Sequence, residues 1–188
     1  MKPRIAFERR HSDIAPDHVC VIFFDLIGLK GVNVNVGREA GDELLKTFAS
    51  VLESSLRTGD TVNHLGGDEF IVVLEGCLHQ KALQIAEHLI CLFKQKWNNR
   101  FNVPSRFIGA RYGVTSSEED EFADIKCGQE ELINALIAAA NTRRKAQKSP
   151  ADRERYTEAI RQHLAQSGQA LTHPVTPTAC HPSNLEGN

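Results

Sequence analysis

Two short acidic groups hold the residues best suited to chemistry. Asp25 closes the apolar run at residues 19–26 (VCVIFFDL), and Asp68 and Glu69 follow the pair Gly66-Gly67. Carboxylates at the end of a buried strand and at a hairpin tip converge if the two elements are neighbours in one sheet. Hard carboxylate oxygens with open positions for phosphate oxygens are what Mg²⁺ requires. The paired glycines permit positive φ and let a ligand approach the main chain closely. Such a site suits nucleotidyl transfer, which is mostly positioning and charge neutralisation, with metal ions activating the attacking hydroxyl. The plain alternative is a solvated turn, since turns favour Gly and Asp for their own reasons.

The elements that must position these groups are readable from periodicity. Residues 19–26 form a continuous apolar run, which predicts a central strand buried on both faces. Residues 28–37 read as a Gly- and Asn-rich loop. From 38 to 56, Leu44, Leu45, Phe48, Leu52 and Leu56 recur at helical spacing. Residues 61–65 and 70–74 are two short strand-like runs around the Gly66–Glu69 turn, a hairpin signal. An amphipathic helix is predicted over 81–97, with Ala82, Ala86, Leu89, Phe93 and Trp97 on one face. Another strand follows at 107–114 and another helix at 130–148. Ser149-Pro150-Ala151-Asp152 has the form of a capping box with proline at the first helical position. It opens a last helix whose buried stripe would be Tyr156, Ile160 and Leu164.

These elements divide the chain into a main domain at 1–148, an accessory helix at 149–166 and a disordered tail at 167–188, rich in Pro, Thr, Ser and Gly. Strands and helices mix without strict alternation, so the expected class is α+β, a mostly antiparallel central sheet flanked by helices. The 188 residues are 41% apolar, enough for a sizeable core, and the net charge of −2 with mixed signs argues against a duplex-DNA partner. No apolar run is long enough for a membrane span, and the charged start is unlike a signal peptide. Five scattered cysteines without a CxxC pair fit reduced thiols in a cytoplasmic protein.

Gly66-Gly67-Asp68-Glu69-Phe70 spells GGDEF, and here the chain resembles the GGDEF family of bacterial diguanylate cyclases. The resemblance extends over about residues 3–148. Upstream, Asp25, Lys30, Asn33, Gly41 and Asp42 follow the order and spacing of the family's motifs, and residues 3–7 are similar to the end of its first helix. It implies a nucleotidyl-cyclase-like fold that condenses two GTP into cyclic di-GMP and two pyrophosphates. By that likeness Asp25, Asp68 and the Leu26 carbonyl hold Mg²⁺, with Mn²⁺ able to replace it. Glu69 assists at the metal or takes the 3′-hydroxyl proton. Asn33 and Asp42 read guanine, a role chemically apt for Asp42, whose carboxylate can accept from both N1–H and the exocyclic amine. Lys30, the amides from Gly28 onward and Lys148 face the phosphates. Arg57 and Asp60 resemble the family's inhibitory RxxD site, where cyclic di-GMP would bind; a salt bridge between the two is the simpler reading. Catalysis would need a homodimer, each chain's GTP meeting its partner's across a two-fold axis.

The chain also departs from the family pattern. Ile27 replaces an aspartate, Gly28 an aromatic, Val34 an aspartate, Arg38 a histidine, His64 an arginine and Asn141 an aspartate. Asp152 stands where an arginine is usual, with Arg153 one place on. None of these removes an expected metal ligand or guanine reader. They fall around the triphosphate, which keeps two rivals in view: a non-catalytic module that senses GTP or cyclic di-GMP, and a scaffold acting through residues 150–188.

Overall fold

The computed structural model describes residues 18–122, 128–147 and 149–168. Its centre is a four-stranded antiparallel sheet in the order β2-β3-β1-β4, built from β1 (Val19–Ile27), β2 (Thr61–Gly66), β3 (Glu69–Glu75) and β4 (Gly109–Ser116). The apolar run at β1 takes the central place its composition requires. Cys20, Ile22 and Phe24 point to one face of the sheet and Val21 and Phe23 to the other, all at most 1% exposed.

On the larger face lie α2 (Arg38–Ser55) and α3 (His79–Trp97). Phe48 of α2 is the hub there, with ring centroids 5.4 Å from Phe24, 5.1 Å from Phe70 and 5.0 Å from Phe93. Each such fully buried aromatic contributes roughly 1.5–3 kcal/mol of transfer free energy. The predicted face of α3 is confirmed in full: Ala82, Ala86, Leu89, Phe93 and Trp97 are all buried. On the other face lies α4 (Gln129–Ala146), packed on β1 and β4 through Leu136 and Ala140. Gly113 is what lets it come so close, because a Cβ there would stand 2.0 Å from the Ala140 carbonyl oxygen and 2.7 Å from the Arg144 nitrogen.

Two elements differ from expectation. The Gly- and Asn-rich segment is not a loop throughout, since Leu29–Asn35 form the helix α1. Its β-branched and Asn residues are poor helix formers. Tertiary contacts decide the matter, with Val32 fully buried and the Asn35 side-chain amide donating to the Gly31 carbonyl at 2.9 Å and the Thr157 carbonyl at 3.0 Å. The strand expected from Phe107 begins at Gly109, after a single 3₁₀ turn (Ser105–Phe107) behind Pro104.

The Thr157 carbonyl belongs to α5 (Pro150–Gln166), which carries the expected capping box between Ser149 and Asp152. It packs along α1, and Ile160 and Leu164 join the main core. Gly31 permits this approach, for a Cβ there would lie 2.8 Å from Ile160 Cδ1 and 3.0 Å from Thr157 Cα. Lys148, residues 3–7 and the tail beyond 168 lie outside the described residues.

Candidate nucleotide site

The two acidic segments do converge. In the sheet register Asp25 pairs with Glu69 of β3 on one side and with Arg111 of β4 on the other. The Leu26 amide donates to the Asp68 carbonyl at 2.8 Å, which holds the Gly66–Glu69 turn against the end of β1. Gly66 and Gly67 both have positive φ, as the turn requires. Asp25 is 1% exposed, Asp68 and Glu69 only partly covered.

Each of these carboxylates meets a guanidinium. Arg144 Nη1 lies 2.9 Å from Asp25 Oδ1, and Arg111 Nη1 donates to Asp25 Oδ2 at 3.0 Å. Arg144 Nη2 donates to Glu69 Oε1 at 3.1 Å, and Arg153 Nη2 to Asp68 Oδ2 at 3.2 Å. Asp152 of α5 accepts from the second nitrogen of Arg111 at 3.2 Å. Arg144 is itself 2% exposed, stacked over the Phe23 ring at 4.9 Å. Among the described residues no group of three or more His, Cys, Asp or Glu side chains is gathered to hold a metal ion. The expected Mg²⁺ ligands are neighbours, but their side chains are paired as they stand: both oxygens of Asp25 and one of Asp68 face guanidinium groups, an arrangement that does not fit a divalent ion.

Sequence reasoning missed Arg111 and Arg144. The sequence held only a weak hint, a charged residue inside the predicted strand and another at the i+4 spacing of Leu136, Ala140 and Arg144 on the buried stripe of α4. A fully buried arginine needs a carboxylate partner.

Beside this cluster Gly28, Leu29, Lys30 and Gly31, the segment expected to face phosphates, line a cavity of about 20 Å³ together with Arg111, Arg153 and Tyr156. Gly28 turns there with φ 94°. Room for about one water remains. The other expected contacts lie further along α1 and α2. Asn33 rests directly on Gly41, its Oδ1 only 1.8 Å from where a Cβ on Gly41 would be, so the amide reaches the start of α2 next to Asp42. Both Asn33 and Asp42 are exposed. Asp42 also lines an open concavity of about 550 Å³ with Glu39, Glu43, Lys46, Arg100 and Phe101.

Arg57 and Asp60 are engaged with each other. The Arg57 amide donates to Asp60 Oδ2 at 3.3 Å, Nε lies 3.6 Å from Oδ1, and the guanidinium donates to the Glu75 carbonyl. His64, in place of an arginine, stacks on Phe70 at 4.3 Å between ring centroids.

A central antiparallel sheet with an acidic turn beside its middle strand defines a nucleotidyl-cyclase-like domain. The family model described as "Diguanylate cyclase, GGDEF domain" matches residues 1–146, and the chain belongs to that family. Helix α5 lies beyond the matched residues. The chain is 34% identical over 118 residues to the probable diguanylate cyclase DgcE of Escherichia coli, covering 57% of this chain and 10% of that protein. It is 38% identical over 65 residues to the diguanylate cyclase DgcS of Shewanella oneidensis, covering 35% of this chain and 22% of that one. It thus spans between a tenth and a quarter of these relatives' length. Among solved structures, the GGDEF domain of YfiN (TpbB) from Pseudomonas aeruginosa is similar with a TM-score of 0.57 and 27% identity, over 76% of each chain. No helix among the described residues is long and apolar enough to cross a membrane.

Proposed function

We propose that this domain binds a guanine nucleotide, GTP or cyclic di-GMP, and serves as a recognition module of cyclic di-GMP signalling without turning GTP over. One observation carries this reading. The Asn33–Asp42 pair remains exposed and adjacent across Gly41, while both oxygens of Asp25 are held by arginines. A carboxylate beside an amide suits the guanine edge, and adenine lacks the N1–H and amine pair that Asp42 would accept. Activation of a 3′-hydroxyl at Asp25 and Asp68 would depend on Mg²⁺, whose charge and coordination the guanidinium groups oppose.

The cyclase reading keeps one observation in its favour, the intact Gly66–Glu69 turn locked to β1 by the Leu26–Asp68 hydrogen bond. In that reading two chains face each other across a two-fold axis. Each bound 3′-hydroxyl attacks the partner's α-phosphorus, pyrophosphate leaves twice, and cyclic di-GMP at Arg57 and Asp60 slows the next turnover. Lys30 and Lys148 would then hold the triphosphate.

Purified protein incubated with GTP and Mg²⁺ or Mn²⁺, followed by mass spectrometry, separates the two. Binding of GTP or cyclic di-GMP by equilibrium dialysis with neither the linear dinucleotide nor cyclic di-GMP produced is the expected result. Cyclic product at high protein concentration establishes the cyclase instead.

A further inference from the structure

The carboxylate cluster is already charge-balanced from within. Asp25, Asp68, Glu69 and Asp152 face Arg111, Arg144 and Arg153, with Lys30 on the rim of the same cavity. Four negative groups are set against three paired guanidinium groups and a lysine on the rim. Two of the cations, Arg111 and Arg144, converge on the single buried carboxylate of Asp25, and together they bring the charge a divalent ion would bring.

Neither of the two can readily withdraw. Arg144 is 2% exposed, stacked on Phe23 and bonded to Glu69 and Asn141, on a helix that Gly113 lets press against β4. The Arg111 side chain is 10% exposed and directly opposite Asp25 in the β1–β4 register. A divalent ion at Asp25 would share that carboxylate with two fixed like charges in a buried setting, where repulsion is strong.

We infer that Arg111 and Arg144 replace the divalent cation in this chain, so that it takes up no Mg²⁺ or Mn²⁺ at Asp25 and receives a nucleotide's phosphates free of metal. The receiving groups are the two cations of the cavity lining that are not fixed on Asp25, Lys30 and Arg153. Guanidinium forks match phosphate oxygens in pairs. Arg153, on the exposed side of α5, can turn from Asp68 to a phosphate. The identity of the ligand rests on the guanine-nucleotide reading above; the statement about metal does not.

The test uses the full chain. Free Mn²⁺ is followed by its EPR signal as protein is added, and a fluorescent GTP analogue is titrated in Mg²⁺ and again in EDTA. Wild-type protein is expected to leave the Mn²⁺ signal unchanged, and its nucleotide dissociation constant to agree within about twofold between the two buffers. Arg111→Ser, which releases one oxygen of Asp25, is expected to take up Mn²⁺ and to bind nucleotide about tenfold or more tightly with Mg²⁺ than without it. Arg144→Met is expected to do the same, Met being able to fill the space over Phe23. Should that variant fail to fold, the wild-type and Arg111→Ser titrations decide. Stoichiometric Mn²⁺ uptake by the wild type, or nucleotide binding that vanishes in EDTA, overturns the inference. Protein that binds no nucleotide in either buffer defeats the guanine-nucleotide reading instead, and the Mn²⁺ titration still settles the question of the metal.

Discussion

The two ends of the candidate site are built on opposite principles. At the proposed guanine end, Asn33 and Asp42 stand exposed on α1 and α2, and the backbone beneath them provides the geometry through Gly41. At the carboxylate end, Asp25 is buried and the carboxylates of Asp25, Asp68, Glu69 and Asp152 are each paired with an arginine of the same molecule. The first end can be altered without disturbing the fold, because its groups are solvated until a ligand arrives. The second has become part of the core, and its polar groups now serve stability as much as recognition.

The sharpest way to break this contrast is to remove a residue from each end. Asp25→Ala leaves Arg144 buried and stripped of its nearest counter-charge, which should cost about 3–5 kcal/mol in denaturant unfolding. Asp42→Ala should leave stability within about 0.5 kcal/mol of wild type. It should instead weaken guanine-nucleotide binding about tenfold to a hundredfold, the worth of a hydrogen bond to a charged group. An Asp25→Ala protein as stable as wild type would mean that the buried cluster is not structural, and the distinction between the ends would be lost.

Gly113→Ala probes how the carboxylate end is assembled. A methyl group 2.0 Å from the Ala140 carbonyl must push α4 away from β4, at about 1–3 kcal/mol for overpacking. Because Arg144 travels with α4, its grip on Asp25 should loosen, and Mn²⁺ uptake should rise while binding of a guanine base alone stays as it was.

How much of this was legible in the sequence follows from the same contrast. The elements that carry Asp25, Asp68, Asn33 and Asp42 have strong local signals: a continuous apolar run, a double glycine, a helical repeat. Their convergence was readable once β1 and β3 were taken as neighbours. The arginines were not, because a lone Arg in a strand or a helix reads as a solvated charge until the facing element is known. Only the β1–β4 register and the close packing of α4 turn Arg111 and Arg144 toward one carboxylate. Helix α1 was hidden for a related reason. Its sequence prefers other conformations, and its helicity depends on Val32 reaching the core and on Asn35 bonding the Thr157 carbonyl of α5, more than a hundred residues away.

Arg153 marks the boundary between the two regimes and gives the smallest expected effect on stability. It reaches Asp68 from a side chain 54% exposed, so the ion pair should contribute only about 0–1 kcal/mol. Yet it closes the cavity over the phosphate loop together with Tyr156 and Arg111. Arg153→Ala should therefore unfold within error of wild type while nucleotide association, read by stopped-flow fluorescence, becomes faster as the cavity opens. Dissociation should quicken as well, because a phosphate partner is gone. If neither rate changes, α5 is only packing for α1, and the phosphate end is closed by the buried arginines alone.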